Sequence, residues 1–254
     1  MDPLAPSVYV VVGSPGAGRR EVVLDLVENG LAPEAPVVVL VPDATPAHAA
    51  EESLARRPLT DVRRWSAQEG FLPAADLPAG STVFLLFDPL GDVVDQFEAM
   101  RPWLAERRAE LARVLVVVDC QLAERTPALA GWFDACVHFA DVVFLARREG
   151  VANKWMSAFV RRYEDQAYPC YFLHLKKAGL PNPALVLEPQ PRRMSQYFDP
   201  FDELPPDLEI ETDDEEPEDE DSDAPAPEPY FERNRAGRRV REVPSLRAVL
   251  GAER

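Results

Sequence analysis

Cysteine and long apolar runs are scarce in this chain of 254 residues. The three cysteines, Cys120, Cys136 and Cys170, are widely spaced and form no C-x-x-C pair, which argues against a disulfide framework and against a zinc knuckle. No apolar run approaches the length of a membrane span, and the N-terminus lacks the charged and apolar pattern of a signal peptide. The composition therefore predicts a cytoplasmic protein without membrane segments.

Lysine is almost absent, because nearly all basic residues are arginine. The lysines are Lys154, Lys176 and Lys177. Arginine can replace lysine on a surface at little cost, but the two side chains are not equivalent at a geometrically constrained site. An arginine at a position that normally requires lysine is therefore informative about function.

Negative charge is concentrated in one segment near the C-terminus. The formal net charge is −17, and residues 202–223 contain 14 of the 44 acidic residues and no Lys or Arg. The rest of the chain is close to neutral, which gives no support to nucleic-acid binding. The acidic composition predicts a disordered linker over 201–229, because it offers too little apolar surface to order itself. This linker would join a domain over 1–200 to a short arginine-rich segment over 230–254.

Short β-branched runs alternate with helical patterns through the first 175 residues. Continuous apolar runs indicate strands that are covered on both faces. Strands are predicted at 7–12, 35–41, 81–87, 113–119, 140–146 and 169–175, with a short edge strand at 61–65. Helices are predicted at 19–29, 92–112, 127–138 and 153–165, with Pro102 expected to start, bend or split the second. This alternation predicts an α/β fold with a doubly wound, mainly parallel sheet and a disordered acidic C-terminal tail.

A glycine-rich loop follows the first predicted strand, at the strand end where ligands bind in such folds. It matches the phosphate-loop pattern G-x-x-x-x-G-K-[ST] in the spacing of its two glycines, but arginine replaces both the lysine and the hydroxyl residue. Backbone N–H groups of such a loop can still hold an anion. The candidate phosphate-binding residues are Gly13, Ser14, Gly16, Ala17, Gly18, Arg19 and Arg20.

Magnesium binding at this loop is in doubt. The hydroxyl residue of the pattern is a Mg²⁺ ligand, and Arg20 cannot ligate a cation. Ser14 lies inside the loop and is not placed to substitute. Asp88 and Asp119 follow predicted strands and are candidate acids for a metal, although aspartate before a helix is more typical of an N-cap.

Three later segments complete a resemblance to the CobW, HypB and UreG group of metal-handling P-loop GTPases. Residues 85–97 read LLFDPLGDVVDQF, where the group has an acidic strand end, and residues 114–120 read VLVVVDC, which is similar to its VVDA strand. Residues 138–149 read HFADVVFLARRE, which is similar in frame to its AD…LNKxD segment. The resemblance covers about residues 7–175 and implies a sheet of P-loop NTPase type.

The same resemblance implies a nucleotide ligand, GTP or another, and a base pocket. In its frame, the N-K-x-D residues correspond to Ala146, Arg147, Arg148 and Glu149. Ala146, Arg147 and Glu149 are therefore the base-pocket candidates, with Glu149 in place of the aspartate that accepts hydrogen bonds from guanine. The group's C-x-C-C metal site has no counterpart, and no metal site or catalytic residue is assigned.

Four altered sites in one frame lead to the hypothesis of a pseudo-GTPase that acts by binding or scaffolding, not by efficient hydrolysis. They are the lysine and hydroxyl positions of the loop, the acidic strand end, which is reduced to Asp88, and the N-K-x-D segment. One alternative is an atypical GTP- or ATP-binding NTPase that uses Arg19 as its phosphate cation. Another is an interaction protein that binds no nucleotide. The C-terminal tail is the expected contact for a protein partner, whereas no membrane or nucleic-acid partner is expected.

Overall fold

Seven parallel strands form the centre of the protein. The computed structural model describes residues 4–67, 70–176, 179–198 and 228–252. Its strands are β1 (Ser7–Gly13), β2 (Val37–Pro42), β3 (Thr60–Trp65), β4 (Thr82–Leu86), β5 (Glu110–Asp119), β6 (Val142–Ala146) and β7 (Tyr171–His174). They are arranged in the order β3-β2-β4-β1-β5-β6-β7, and each neighbouring pair is parallel. The predicted doubly wound parallel sheet is confirmed, with β3 as the predicted edge strand.

Helices cover both faces of this sheet. The helices in the described residues are α1 (Arg19–Gly30), α2 (Ala49–Arg56), α3 (Val93–Arg107), α4 (Cys120–Arg125), a 3₁₀ helix (Pro127–Leu129), α5 (Ala130–His138), α6 (Asn153–Glu164), α7 (Pro183–Leu187) and α8 (Leu246–Ala252). Alternate residues of β1 enter two separate cores: Val8 and Val10 pack on one face, and Tyr9 and Val11 pack on the other. Both faces of β1 are thus buried, which explains its continuous apolar run.

None of the helices in the described parts of the chain is both long enough and apolar enough to cross a membrane.

The predicted helix over 92–112 is too long at its C-terminal end. Arg108 adopts a left-handed conformation with φ of 50°, and its N–H bonds back to the carbonyls of Leu104 and Ala105, which ends α3. The chain then enters β5 at Glu110, which pairs with Ser7 of β1. Pro102 lies inside α3 and does not split it. The overlap of a helical and an extended pattern at this junction is resolved by pairing with β1, which the local sequence does not contain.

The C-terminal arginine-rich segment, here residues 228–252, packs against the sheet domain. Tyr230 and Leu246 are buried in the larger of the two cores. The ring of Phe231 stacks on that of Phe139, with 5.5 Å between centroids. Arg239 pairs with acidic side chains on α3. Most of the predicted acidic linker lies outside the described residues, and its disorder and the binding of a protein partner by the tail stay predictions.

Acid pH is expected to loosen the contact between the C-terminal segment and the domain. Burial raises the pKa of Glu228, but hydrogen bonds from His138 and Ser195 outweigh burial and leave that pKa below its ordinary 4.5. The pKa of Glu98 is lowered in the same way: burial raises it, and hydrogen bonds from Arg233 and Arg239 outweigh burial. A carboxylate with a lowered pKa stabilises the folded state above the unfolded pKa, and this contribution is lost as pH falls through the lower, folded-state value.

We therefore expect hydrogen-exchange protection in 228–252 to be full above about pH 6 and to fall as the pH drops through 4.5 and below, while protection in β1 changes less. Mass spectrometry with correction for intrinsic exchange rates measures both regions in one sample. A Glu228→Gln variant should show reduced protection already at about pH 6. Equal changes in β1 and in the C-terminal segment would contradict this expectation.

Candidate functional site

The glycine-rich loop lies between β1 and α1, at the middle of the sheet's carboxyl edge. Since β4 and β5 flank β1, the connections leave the sheet in opposite directions at this point, as at ligand sites of doubly wound folds. Gly16 and Gly18 have φ values of 75° and 98°, which favour glycine. Gly18 precedes α1 without a side-chain cap. The loop thus presents the N-terminus of a 12-residue helix, with backbone N–H groups available to an anion.

Close packing also requires glycine at the start of the loop. A Cβ atom on Gly13 would lie 2.7 Å from the carbonyl oxygen of Val117 and 3.2 Å from the Cδ of Arg19. The side chain of Arg19 therefore runs along the backbone of Gly13. The backbone of Gly13 thus packs closely against β5, the strand that ends at Asp119.

The two arginines at the lysine and hydroxyl positions are engaged with other parts of the protein. Arg19 is buried, and its Nη1 donates a 2.6 Å hydrogen bond to the carbonyl of Phe87. Burial, assisted by the neighbouring charge of Arg20, lowers the pKa of Arg19 to about 10, with Asp88 acting in the opposite direction. The Nη1 atom of Arg20 pairs with Glu51 at 2.7 Å. The assignment of both arginines as phosphate ligands stays a prediction, and these contacts do not favour it.

Glu51 on α2 is a site-adjacent residue that the sequence reasoning missed. Its carboxylate accepts a hydrogen bond from Arg20. Both carboxylate oxygens also accept from Nη2 of Arg64, at 2.9 and 3.1 Å. This cation–anion–cation cluster ties α1 to α2 and β3. No sequence signal marks it, because Arg20 and Glu51 are 31 positions apart.

The two strand-end acids lie on either side of β1, and each caps a local turn. Asp119 ends β5, and its Oδ1 accepts the N–H of Leu122 at 3.0 Å, which caps α4. Asp88 follows β4, and its Oδ1 accepts the N–H of Leu90 at 3.0 Å. Asp119 is thus the helix N-cap that aspartate favours, whereas Asp88 closes a turn and Asp92 caps α3.

The residues present do not fit the Mg²⁺ that the resemblance implies. Mg²⁺ is held by carboxylate or hydroxyl oxygens. The hydroxyl position holds Arg20, and the two oxygens of Asp119 face the Leu122 N–H and Arg147. The parts of the chain that the structure describes contain no group of three or more His, Cys, Asp or Glu that could hold a metal. The buried Ser14 Oγ has no hydrogen-bond partner among these residues.

Arg147 closes over the loop from the end of β6. Its backbone is left-handed, with φ of 49°. Its Nη1 donates to the carbonyl of Gly16 at 3.1 Å, and its Nε lies 3.3 Å from Oδ2 of Asp119. The side chain remains 52% exposed, in contrast to the buried Arg19. Arg147 is thus an accessible cation beside the loop, a position that its assignment to a base pocket did not include.

A pocket of about 470 Å³ lies directly beside the loop. It is lined by residues from the first turns of α1, the end of β6 and the chain after β7, among them Ala17, Gly18, Ala146, Arg147, Glu149 and Lys176. Its volume lies within the range of small-molecule sites. The structure therefore brings the three base-pocket candidates together with two loop residues. The carboxylate of Glu149 is exposed and makes no hydrogen bond within the described part of the chain.

The chain after β7 forms a wall of this pocket that the sequence reasoning did not include. Asp25 of α1 accepts the N–H of Leu180, and a Cβ atom on Gly179 would lie 2.8 Å from Oδ2 of Asp25. Gly179 has φ of 103° and is therefore required by both conformation and space. Lys176 lies at the start of the same turn. The one sequence signal for this wall was the predicted strand β7, which ends beside the turn.

Topology and loop together define an α/β domain of the P-loop NTPase type. Among solved structures, the chain is similar to the Zn(II)-bound YjiA GTPase from E. coli, with 14% sequence identity and a TM-score of 0.35. The match covers 74% of this chain and 66% of that one, so the chain spans less than two thirds of that structure's length. No protein-family model matches the sequence, and no match was found among curated proteins.

Proposed function

We propose that this protein binds a nucleotide at the glycine-rich loop and acts by binding, not by efficient hydrolysis. One observation carries the proposal: the loop at the N-terminus of α1 opens directly into the 470 Å³ pocket at the carboxyl edge of the sheet. Phosphate groups would lie on the N–H groups of Gly16 and Gly18, and the base would lie in the pocket. The unsatisfied hydroxyl of Ser14 adds a donor within the loop.

The pocket favours a base that offers N–H donors. The carboxylate of Glu149 offers the pocket oxygen acceptors for hydrogen bonds. Guanine presents adjacent ring and amino donors, whereas adenine presents an amino group beside an acceptor nitrogen. We therefore propose tighter binding of guanine than of adenine nucleotides, with Glu149 as the discriminating residue.

The engagement of Arg19 and Arg20 supports the pseudo-GTPase hypothesis over an NTPase that uses Arg19. Arg19 bonds to Phe87 and Arg20 pairs with Glu51. Both guanidinium groups would have to leave these partners to stabilise the charge on a transferring phosphoryl group. Asp119 caps α4 and pairs with Arg147, and Asp88 accepts the N–H of Leu90. Release of phosphate that depends on Mg²⁺ and disappears with Arg19→Ala would refute the pseudo-GTPase hypothesis.

Calorimetry of the full chain against GTP, GDP, ATP and ADP tests the proposed binding. Gly16→Val is expected to weaken binding about tenfold or more, because a side chain at this left-handed position strains the loop and narrows its mouth. Gly237→Val is the matched control, since Gly237 has φ of 76° and lies in open space within the C-terminal segment. Gly237→Val should bind like the wild type.

Absence of heat with all four nucleotides, at a concentration of about 1 mM each, would contradict the proposed function. That result would favour the interaction protein that binds no nucleotide. Equal weakening by both glycine variants would instead show a general loss of stability, and the Kd values would then be compared only for the fraction that remains folded.

A further inference from the structure

We infer that Arg147 supplies the positive charge that the phosphate-loop pattern takes from lysine and a divalent cation, so that phosphates bind here without metal. This inference rests on the proposed nucleotide binding. It starts from the misfit between the residues present and Mg²⁺, and from the position of one exposed guanidinium.

The guanidinium of Arg147 lies where loop, strand-end acid and pocket meet. It contacts the Gly16 carbonyl at 3.1 Å and Oδ2 of Asp119 at 3.3 Å, and it lines the pocket. These contacts use Nη1 and Nε, and the donors of Nη2 have no partner among the described residues. A planar guanidinium with free donors can bind a phosphate through two parallel hydrogen bonds.

The other cations near the loop are committed elsewhere. Arg19 is buried and bonded to Phe87, and Arg20 is paired with Glu51. Arg148, next in sequence, bonds to His174 and to the carbonyl of Leu175. Arg147 and the exposed Lys176 are thus the cations that face the pocket within the described chain.

The acids of the pocket leave room for an anion at the loop. Glu21 lies 3.4 Å from His48, and Asp25 accepts the Leu180 N–H. Glu149 carries an unpaired charge, which we assign to the base. Asp119 is the strand-end acid that Arg147 contacts, and Arg147 neutralises it as a metal ion otherwise would.

Two consequences distinguish this arrangement from a metal-dependent loop. Wild-type binding should not require Mg²⁺, because the carboxylate of Asp119 is already paired with Arg147. Removal of Arg147 should leave Asp119 uncompensated beside the phosphates. Mg²⁺ would then compensate that charge, and binding would become metal-dependent only in the variant.

The test is calorimetry of the full chain with GDP and with pyrophosphate, in EDTA and in MgCl₂. The wild type should bind in EDTA at least as tightly as in MgCl₂, because Mg²⁺ complexes the phosphates of the free ligand, whereas Arg147→Ala should bind about ten- to a hundredfold more weakly than the wild type in EDTA. Mg²⁺ should restore part of the loss in Arg147→Ala. Arg147→Lys should be intermediate, because it keeps the charge and loses the planar fork.

Arg125→Ala serves as the matched control. Arg125 lies on α4, and its Nε bonds to the Gln121 carbonyl of the same helix. The substitution removes the same charge from an exposed position that does not line the pocket, and its Kd should equal that of the wild type. Circular dichroism reports whether each variant is folded, and the wild-type comparison in EDTA requires no variant at all.

The outcomes separate this inference from the proposed function. Wild-type binding that needs Mg²⁺, or Arg147→Ala binding like the wild type in EDTA, would overturn the inference and leave nucleotide binding intact. No binding of any nucleotide by the wild type would end both. The role of Arg147 would be supported if the wild type binds without Mg²⁺, Arg147→Ala weakens this binding and Arg125→Ala leaves it unchanged.

Discussion

Replacing Asp141 by alanine is expected to lower the free energy of unfolding by about 3–5 kcal/mol, because it removes a buried carboxylate that holds an ion pair and two backbone N–H groups. Asp141 is fully buried, and Nη1 of Arg193 lies 3.0 and 3.2 Å from its two oxygens. The same carboxylate accepts the N–H of Val114 at 2.6 Å and the N–H of Arg192. It thus joins β5, the start of β6 and the chain after α7.

Urea unfolding followed by tryptophan fluorescence measures this loss. Asp43→Ala is the control, since Asp43 is exposed, and we expect its effect to stay within about 0.5 kcal/mol. A decrease below about 1 kcal/mol for Asp141→Ala would show that solvent reaches the pair and that the contact matters little.

Arg19→Ala is expected to lower the free energy of unfolding by about 2–4 kcal/mol, through an unpaired carbonyl and a cavity beside Gly13. The side chain is buried and bonds to Phe87 at the end of β4. Because its charge is costly in this position, Arg19→Met should recover much of the loss by refilling the volume. Nucleotide affinity should change less than about threefold in either variant.

Comparison with Arg147→Ala makes this prediction specific. Arg147 is half exposed, so its removal should cost affinity and little stability. Arg19→Ala should show the reverse. Urea unfolding and calorimetry on the same preparations give both quantities. If Arg19→Ala loses affinity at unchanged stability, Arg19 is the phosphate cation, and the atypical NTPase becomes the better hypothesis.

The two arginines lie in different surroundings, since Arg19 is buried and Arg147 is half exposed. This contrast bears on how altered motifs are interpreted. An arginine at the lysine position of a phosphate loop keeps the charge, and the sequence pattern therefore favours a phosphate role for it. In the folded chain the longer side chain reaches past the loop to Phe87. A charge that is kept in the sequence can thus contact another part of the chain, because side-chain length decides which partner is within reach.

The sequence by itself determined the sheet and the loop. Continuous β-branched runs are buried on both faces wherever they lie, so the strands and their parallel arrangement follow from local pattern. The loop at 13–18 follows in the same way, because glycine spacing after a strand constrains the backbone directly. The shared position of Ala146, Arg147 and Glu149 with the loop followed only from the motif frame.

Only the tertiary structure decided which charges face the pocket. Arg147 and Gly16 are 131 positions apart, and Asp25 and Leu180 are 155 apart. The C-terminal segment reads as a tail in sequence, yet Tyr230 and Leu246 enter the core. Long charged side chains have several partners within reach, and the choice among them depends on burial and on distant strands. Local sequence carries no information on burial or on distant strands. The positions of most strands, in contrast, follow from local apolar runs alone.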